Sequence, residues 1–503
     1  MIPHTADLLP EPIRRYSQRR RERAHRLSRD ARRPGADREF LVGLLEDTLA
    51  YARQRDYTGP DYFDGMSSRV LRALPAEHKW LNIAVQEGIK RAPVDLRPLF
   101  LVEQRQSFKG SALFAMANRT AADLTGDDLY DDEADYLLDW LLEHSSEDRA
   151  PGYAGFCGGH RHAMQLLDEY REAEVPNVIP TSYATKALCR DADRDDRYAE
   201  AARSAADFLV EDLRYTELDT GARIVYQPEY DGEFYTINGG AIGARLLVDL
   251  YDRFGDERHL ERATALLDHI ATRQTDLGGW TYRDPPSASH LSMDSHHNGF
   301  VIESFLRYQE ATGEERYADT LDRALSFYRT RLFEPNGAPN FDESSRYPRD
   351  IHAATQGVIV FAMAGDTAFS RRILDWVLAN LYAGDGQFHY QRRRFYTKRF
   401  TLMRWCQAWM AYAISAYLEA TAAGGGDDGD REGTATPAGD HTSVPGTPSA
   451  GATASGAAPG DGSDAPSERT DDDRADPPEP RSDGGAPGSD AGGSESDGGR
   501  GGE

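Results

Sequence analysis

Five short segments along the chain share one pattern: one or two acidic residues, usually beside a glycine, followed by an aromatic residue or a histidine. They occupy positions 125–130 (TGDDLY), 193–198 (DRDDRY), 254–259 (FGDERH), 312–317 (TGEERY) and 364–369 (AGDTAF). The last residues of successive segments are 68, 61, 58 and 52 positions apart, which is typical of a protein built from repeats. Because glycine can end a helix in the left-handed conformation and an acid can cap the helix that follows, each segment predicts the turn of a helical hairpin.

Apolar residues on both sides of these segments have helical spacing. Around the third segment they recur at intervals of three or four: Leu247, Leu250 and Phe254 on the leading side, and Leu260, Ala263 and Leu267 on the following side. This pattern predicts two amphipathic helices, each with one buried stripe. A loop rich in glycine and aromatic residues follows each second helix. The repeating unit is therefore helix, short turn, helix, long loop.

The number of hairpins predicts how the array ends. Five hairpins account for residues 110–382, and further helices are predicted at 39–51, 77–90 and 401–420. The last of these has no neighbour in the sequence to pair with. Because an open array would leave both of its ends exposed, we expect this helix to join the first one and complete a sixth hairpin. The predicted fold class is all-α, a closed (α/α)6 toroid of about six hairpins.

Composition divides the chain into three regions. We expect a basic N-terminal arm at 1–38, the toroid at 39–421, and a tail at 422–503 that is rich in Gly, Ala, Pro, Ser and Asp. The tail has too few apolar residues to offset the entropy of ordering it, so it is predicted to be disordered. From position 424 onward it holds 18 acids and 5 arginines, which accounts for half of the net charge of −26.

The charged residues and the cysteines indicate the cellular environment and the partners to expect. Lysine occurs at five positions only, and acids outnumber bases outside the tail as well. This bias favours adaptation to high internal salt, with a GC-rich genome as the alternative. The arginine-rich arm lacks the aromatic residues that base stacking needs, so no specific nucleic acid is expected as a partner. No apolar leader and no run of membrane-spanning length is visible, and the spacing of the three cysteines does not pair them. These features predict a cytoplasmic protein without a membrane span.

Two kinds of motif carry a resemblance to known proteins. The turn TGEERY at 312–317 and the loop GGWTYRD at 278–284 resemble the six-hairpin (α/α)6 toroid superfamily, the six-hairpin glycosidase-like proteins. The segments DIHAATQG at 350–357 and MRWCQAWM at 403–410 further resemble uncharacterised toroid proteins of exopolysaccharide biosynthesis. The resemblance implies a toroid that acts on or binds a glycan, with other polysaccharide-pathway proteins as possible partners. It supports the fold better than any particular reaction.

One segment also resembles a second family of toroids. QTDLGGW at 274–280 fits the Q-x-x-x-G-x-W pattern of terpene cyclases and resembles the repeats of protein prenyltransferases. Those cyclases use the motif several times, whereas it occurs once here. Their aspartate cluster has its nearest counterpart at 471–473, inside the predicted tail. A terpenoid cyclase or prenyltransferase therefore stays an alternative to a protein of carbohydrate metabolism.

The candidate catalytic residues stand at two predicted helix starts in consecutive repeats. Asp294 and Asp350 each directly precede an inner helix, where an aspartate is expected as a cap and is also placed at the mouth of the ring. His297 and His352 follow them and could transfer protons. Because neighbours on a helix point in different directions, we expect at most one of His296 and His297 to face the central funnel.

Aromatic and polar residue types near these positions match sugar recognition, since aromatic faces stack on sugar rings and polar groups bond the hydroxyls. The predicted substrate-binding residues are Trp280, Tyr282, His296, Asn298, Arg349, Gln356, Arg394, Arg404 and Trp405. A further polar loop contains Glu229, Asp231, Glu233, Tyr235 and Asn238. The basic stretch 392–399 favours an anionic glycan.

No metal and no cofactor are expected, because the chain has no HExxH motif and no Walker-type phosphate loop. Three function classes remain open. The first is a hydrolase, lyase or epimerase that works by general acid and base chemistry. The second is a non-catalytic glycan-binding or assembly protein, and the third is the cyclase alternative. Two converging carboxylates would indicate hydrolysis. A histidine or tyrosine base beside Arg or Asn would indicate elimination.

Overall fold

The computed structural model describes residues 36–74, 78–165, 170–228, 230 and 234–423. Nearly all of the predicted basic arm and of the acidic tail lies outside these ranges, as do Glu229, Asp231 and Glu233. The predictions made for those residues therefore stay predictions.

Helices dominate the described part of the chain. They are α1 (Ala36–Arg53), α2 (Arg69–Arg72), α3 (Lys79–Arg91), α4 (Phe108–Thr125), α5 (Asp128–Glu143), α6 (Val178–Arg190), α7 (Asp196–Asp207), α8 (Ile237–Phe254), α9 (Glu257–Ala271), α10 (Ser295–Thr312), α11 (Ala318–Arg331), α12 (Ile351–Met363), α13 (Thr367–Asn380) and α14 (Trp409–Ala423). A π-helical segment, Phe208–Asp212, extends α7, and another, Met403–Ala408, leads into α14. Every helix in the described ranges is too short or too polar to span a bilayer.

Six helices form a closed inner ring. Helices α4, α6, α8, α10, α12 and α14 each pack against the next, and α14 packs against α4. Helices α5, α7, α9, α11 and α13 complete their hairpins, and α1 packs against α14 and α4. The first and last helices of the toroid thus supply the sixth hairpin, which confirms the predicted (α/α)6 toroid. Helix α3 stays outside the ring, where it packs against the 3₁₀ turn Gly65–Ser67 and strand β3 (defined below).

The repeated turns show the predicted chemistry at most of their positions. Gly126, Gly255 and Gly313 end their helices with φ of 69°, 73° and 70°. Asp127 and Asp256 accept hydrogen bonds from the backbone at the start of the next helix. The fourth copy differs, because α11 begins without a side-chain cap. Its acid is used elsewhere, since the Tyr308 hydroxyl donates to Glu314 over 3.0 Å.

Short strands shape the loops that follow the outer helices. They are β1 (Thr58–Gly59), β2 (Arg105–Gln106), β3 (Met164–Gln165), β4 (Tyr170–Arg171), β5 (Thr216–Leu218), β6 (Gly221–Arg223), β7 (Tyr235–Thr236), β8 (Arg283–Asp284), β9 (Arg349–Asp350), β10 (Tyr382–Gly384), β11 (Gln387–Phe388), β12 (Gln391–Arg392) and β13 (Thr397–Lys398). All pairings are antiparallel: β12 pairs with both β9 and β13, and β7 pairs with β8. Because β7 and β8 belong to successive loops, this pairing ties neighbouring repeats together at the rim.

A buried polar network fills the middle of the ring. Arg245 and Glu303 are fully buried and form an ion pair at 2.6 Å. Gln356 donates to the second carboxylate oxygen of Glu303 over 2.8 Å, and Tyr183 accepts from Arg245 over 3.1 Å. These side chains lie about two turns along the inner helices from their N-terminal ends, so the space above them is closed at the bottom.

Candidate active site

A cavity of about 220 Å³ lies at the N-terminal ends of the six inner helices. Each inner helix, or the segment that leads into it, contributes to its wall. The residues are Lys109 from α4, Ile179 from α6, Asn238 from α8, Asp294, His296 and His297 from α10, Asp350, His352 and Ala353 from α12, and Arg404 and Trp405 from the segment before α14. The loops between the helices add aromatic side chains, among them Tyr62, Tyr226, Tyr282 and Tyr390.

Asp294 holds both neighbouring histidines. As the N-cap of α10 it accepts from the backbone N–H of His297 over 3.0 Å, and its Oδ2 lies 2.6 Å from His297 Nδ1. Its Oδ1 lies 3.0 Å from His296 Nδ1. Both histidines line the cavity, so the expectation that at most one would face it is wrong. The cap bends the chain so that both imidazoles fold back onto one carboxylate.

The charge states at this cluster follow from its burial. Burial opposes ionisation of Asp294, but His297 and His296 and the hydrogen bonds from His297 outweigh it and hold the pKa of this carboxyl below its usual range. Burial and the neighbouring His297 lower the pKa of His296 to about 3, so this ring is neutral at neutral pH. An ionised Asp294 accepts the Nδ1 proton of His297. The Nε2 of that ring, when it is neutral, is then a proton acceptor.

Asp350 is the second carboxylate of the cavity and caps α12. Its Oδ1 accepts from the His352 backbone and from Trp405 Nε1, both over 2.8 Å, and its Oδ2 accepts from Gln391 over 3.1 Å. Burial raises its pKa to about 6, and these hydrogen bonds oppose the shift only in part. A carboxyl with this pKa can give or take a proton near neutral pH.

His352 contacts one side chain beside each carboxylate: His296, next to Asp294, and Trp405, which binds Asp350. Its ring stacks on Trp405 at 4.5 Å, meets Trp409 edge-on at 4.5 Å and lies 4.9 Å from the ring of His296. It is 1% exposed, and neither ring nitrogen has a hydrogen-bond partner among the described residues. Burial, together with His296 and Lys109, holds the pKa of His352 well below its usual value, so the ring is neutral.

Trp405 packs against other side chains of the cavity wall, which leaves little of its ring for stacking on a sugar. Tyr62 stacks on it at 4.4 Å, His352 stacks on it at 4.5 Å, and its indole N–H is bound to Asp350. Tyr282 also lines the cavity, and its ring lies 4.6 Å from that of His297.

Two histidines that line the cavity, His160 and His162, were not singled out by the sequence. Burial lowers the pKa of His160 to about 3 and that of His162 to about 4. His162 bonds Ser67 over 2.7 Å, and Arg404 makes a two-pronged ion pair with Asp61. The signal that could have found the histidines is GGHRH at 158–162, two histidines in a glycine-rich return loop.

Two predicted binding residues of the 280–298 region lie away from the cavity. Trp280 is 1% exposed, and its indole N–H donates to the Ile270 carbonyl over 2.9 Å. Asn298 bonds the backbone of Trp280 in both directions, over 2.8 and 3.1 Å. Both side chains hold the loop against α10, which leaves them no contact with a ligand in the cavity.

Three further predicted residues also lie elsewhere. Arg349 is buried beside Glu334, 3.6 Å away, and Gln356 belongs to the network in the middle of the ring. Arg394 lies on the exposed surface against Phe395. Of the basic stretch 392–399, Arg393 is the residue that reaches the cavity wall.

One set of side chains could share a cation. The ligand atoms of Asp294, His296 and His297 all lie within 4.8 Å of one another. The hydrogen bonds among these three residues satisfy the carboxylate without an ion. The prediction that no metal is needed stays a prediction.

Comparisons with known proteins identify the fold. No family model matches the sequence, and no curated protein sequence matches it. Among solved structures, cellobiose 2-epimerase from Bacillus thermoamylovorans B4167 is 12% identical, covering 62% of this chain and 88% of its own, with a TM-score of 0.51. A sugar epimerase from a ruminal bacterium is 14% identical over 62% of this chain and 87% of its own, with a TM-score of 0.50. These likenesses show the fold, a closed (α/α)6 toroid.

Proposed function

We propose that this protein is a carbohydrate-active enzyme that moves a proton at the carbon beside the carbonyl group of an open-chain sugar, as a sugar epimerase or isomerase does. The observation that carries the proposal is the engagement of Asp294. Both of its oxygens are taken up by His296, His297 and the helix backbone, and the residue is 3% exposed. Its chemical role is to orient imidazoles.

This arrangement favours imidazole chemistry over hydrolysis. A glycoside hydrolase needs two carboxyl groups, one to protonate the leaving oxygen and one to attack or to activate water. Asp350 suits the first task, because burial raises its pKa to about 6. Asp294 is 3% exposed and two imidazoles contact its carboxylate, so it is poorly placed to attack a sugar or to activate water. A carboxylate that fixes the Nδ1 of a histidine instead leaves Nε2 directed at the substrate as a general base.

Two proton-transfer groups are assigned on consecutive inner helices. His297, held by Asp294, takes the proton from the carbon next to the carbonyl. Asp350, with its pKa raised to about 6 by burial, exchanges a proton with the sugar from the neighbouring helix. His296 and His352 lie between them as neutral rings. Proton removal by one group and return by the other can invert the configuration at that carbon.

The wall of the cavity supports a sugar that carries a negative charge. The basic lining residues other than Lys109 are Lys90, Arg171, Arg393 and Arg404, and the acidic ones are Glu172, Asp294 and Asp350. The excess of basic over acidic residues in the cavity wall contrasts with the net charge of the whole chain, which is −26. The N-terminal ends of the six inner helices add positive potential in the same place. A uronate or a phosphorylated sugar fits these charges.

The two sugar epimerases among the structural neighbours are consistent with this reaction. The segment that suggested a cyclase has a structural role instead. In the QTDLGGW segment, Gln274 donates to the carbonyls of Gly278 and Thr320, each over 2.9 Å, which is a structural use of that motif. The setting we propose is the cytoplasm and a polysaccharide pathway, where the free thiols of Cys157, Cys189 and Cys406 would stay reduced.

The test is solvent exchange. The protein is incubated in D₂O with a panel of neutral aldoses, cellobiose and uronates, and NMR follows deuterium at the carbon beside the carbonyl together with epimer formation. His297→Asn and Asp350→Asn should each slow exchange by about 10²- to 10⁴-fold. His144→Asn is the matched control, because His144 stacks on Trp140 at the end of α5 and should leave the rate unchanged.

Other outcomes would decide against the proposal. Release of reducing ends from a glycan without exchange would indicate a hydrolase. An unsaturated product would indicate a lyase. Binding without exchange or cleavage would favour a non-catalytic glycan-binding protein.

A further inference from the structure

One primary amine lies in the cavity wall without a charged partner. Lys109 is the second residue of α4, lines the cavity and is 5% exposed. Its Nζ lies 5.3 Å from the ring centre of Trp409, 5.8 Å from that of Tyr183 and 6.0 Å from that of Phe300. Phe300 and Trp409 also contact the ring of His352, so the amine and this histidine share the floor of the cavity.

The other buried lysines have carboxylates nearby or lie away from the cavity. Lys186 is 3.7 Å from Glu303, and Lys90 is 3.7 Å from Glu87. Lys398 donates to the Lys90 carbonyl over 3.1 Å and does not line the cavity. Among the described residues no carboxylate forms a salt bridge with Lys109.

The surroundings favour the uncharged form of this amine. Burial, with Arg404 and Arg245 nearby, holds the pKa of Lys109 well below its usual value, and Asp61 opposes the shift only in part. Its place in the first turn of α4 works in the same direction, because the N-terminal end of a helix repels a cation. In its protonated form Lys109 would repel charge on three histidines that face the same space, His160, His296 and His352. An uncharged amine in an apolar setting is the form that attacks carbonyl groups.

We propose that Lys109 is a carbonyl-reactive amine that condenses reversibly with the aldehyde of an open-chain sugar or another small aldehyde. The nitrogen lone pair forms a bond to the carbonyl carbon and gives a carbinolamine. The carbonyl oxygen then leaves as water with the two protons lost from the amine, which leaves an imine. Addition of water reverses the step. The inference does not depend on the proposed epimerase activity, since it requires an aldehyde and no turnover.

The experiment traps the imine. The full-length protein is treated with glycolaldehyde and sodium cyanoborohydride, which delivers hydride to the imine carbon and fixes a secondary amine, and mass spectrometry maps the modified lysines. The chain suits this test because it has only five: Lys79, Lys90, Lys109, Lys186 and Lys398. Near pH 7, Lys109 should be modified at least about tenfold faster than the exposed Lys79, the ratio that one pKa unit produces. Its rate should also level off at a lower pH.

Three variants and two refuting outcomes complete the test. Lys109→Arg should abolish the fast modification, and Lys79→Arg should leave it unchanged. Modification of Lys109 no faster than that of Lys79 would overturn the proposal. So would faster modification of Lys398, whose pKa burial lowers to about 7 but which lies off the cavity. His297→Asn should lose deuterium exchange and keep the fast modification of Lys109, so that failure of one proposal is distinguishable from failure of the other.

Discussion

Asp350→Asn should stabilise the protein at neutral pH while it impairs proton transfer. Burial raises the pKa of Asp350 from 3.8 to about 6, so the folded protein binds this proton more tightly than the unfolded chain does. Below about pH 4 the carboxyl is protonated in both states and costs nothing. As the pH rises from about 4 to 6, the folded state is destabilised, and the difference corresponds to about 3 kcal/mol above that range.

The substitution removes this cost and keeps most contacts. An asparagine is neutral at every pH and can still accept from the Trp405 indole N–H and the His352 backbone. The hydrogen bond from Gln391 is lost unless its amide rotates, which costs about 1 kcal/mol at all pH values. The free energy of unfolding of the variant relative to the wild type should therefore increase by about 2 to 3 kcal/mol between about pH 4 and pH 7.

The assay is urea unfolding at about pH 4 and at about pH 7.5, followed by circular dichroism. Asp127→Asn is the matched control, because Asp127 caps α5 at an exposed position and asparagine caps a helix as well as aspartate does. Its effect should be small and the same at both pH values. A difference between Asp350→Asn and wild type that does not grow with pH would refute the reasoning.

Three further measurements test the fold and the charge of the surface. Gly386→Ala should lower the free energy of unfolding more than Gly126→Ala does. Both glycines have positive φ, but a methyl group at Gly386 would lie 2.1 Å from the backbone carbonyl oxygen of Asp47, whereas nothing lies within 4 Å at Gly126. Thermal melting should show a loss above about 1 kcal/mol for Gly386→Ala. Arg245→Met should destabilise the ring by about 3–5 kcal/mol in urea unfolding, since it leaves the buried carboxylate of Glu303 without its main partner. The melting temperature should rise between about 0.1 M and about 2 M KCl if the acidic surface is adapted to salt, and a constant value would contradict that interpretation.

The fold was predictable because its signals are local and repeated. The left-handed glycines and the capping acids act on neighbouring backbone groups, so their meaning depends little on the rest of the chain. Closure of the ring was also predictable, since the last predicted helix, 401–420, had no neighbour in the sequence to pair with. The exception at Glu314 shows the limit of this logic, because a tyrosine of the preceding helix competes for the same acid.

The candidate site was predictable where a cap and the cavity coincide. Asp294, His296, His297, Asp350 and His352 all line the cavity, as their positions before inner helices suggested. Tyr282, Arg404 and Trp405 do so as well.

The rest of the site depends on the direction in which each side chain points, which residue type does not determine. Trp280 is of a residue type that often stacks on sugars, but the structure buries it in the core, where it is 1% exposed. Lys109 lies at the start of a helix whose sequence predicts burial. No motif shows whether its amine is buried as well or extends to solvent past a buried aliphatic side chain.

The same two carboxylates both cap a helix and bind side chains of the cavity. Asp294 accepts the helix N–H on Oδ1 and holds His297 on Oδ2, and Asp350 accepts the helix N–H on Oδ1 and Gln391 on Oδ2. Because the inner helices of a toroid all begin at one rim, a residue that caps one of them lies at the mouth of the cavity. Its second oxygen is then available to bind side chains there. An asparagine keeps the first role and loses the charge that serves the second. Substitutions of this kind therefore separate the stability of the helix start from the chemistry of the cavity, which an alanine at the same position cannot do.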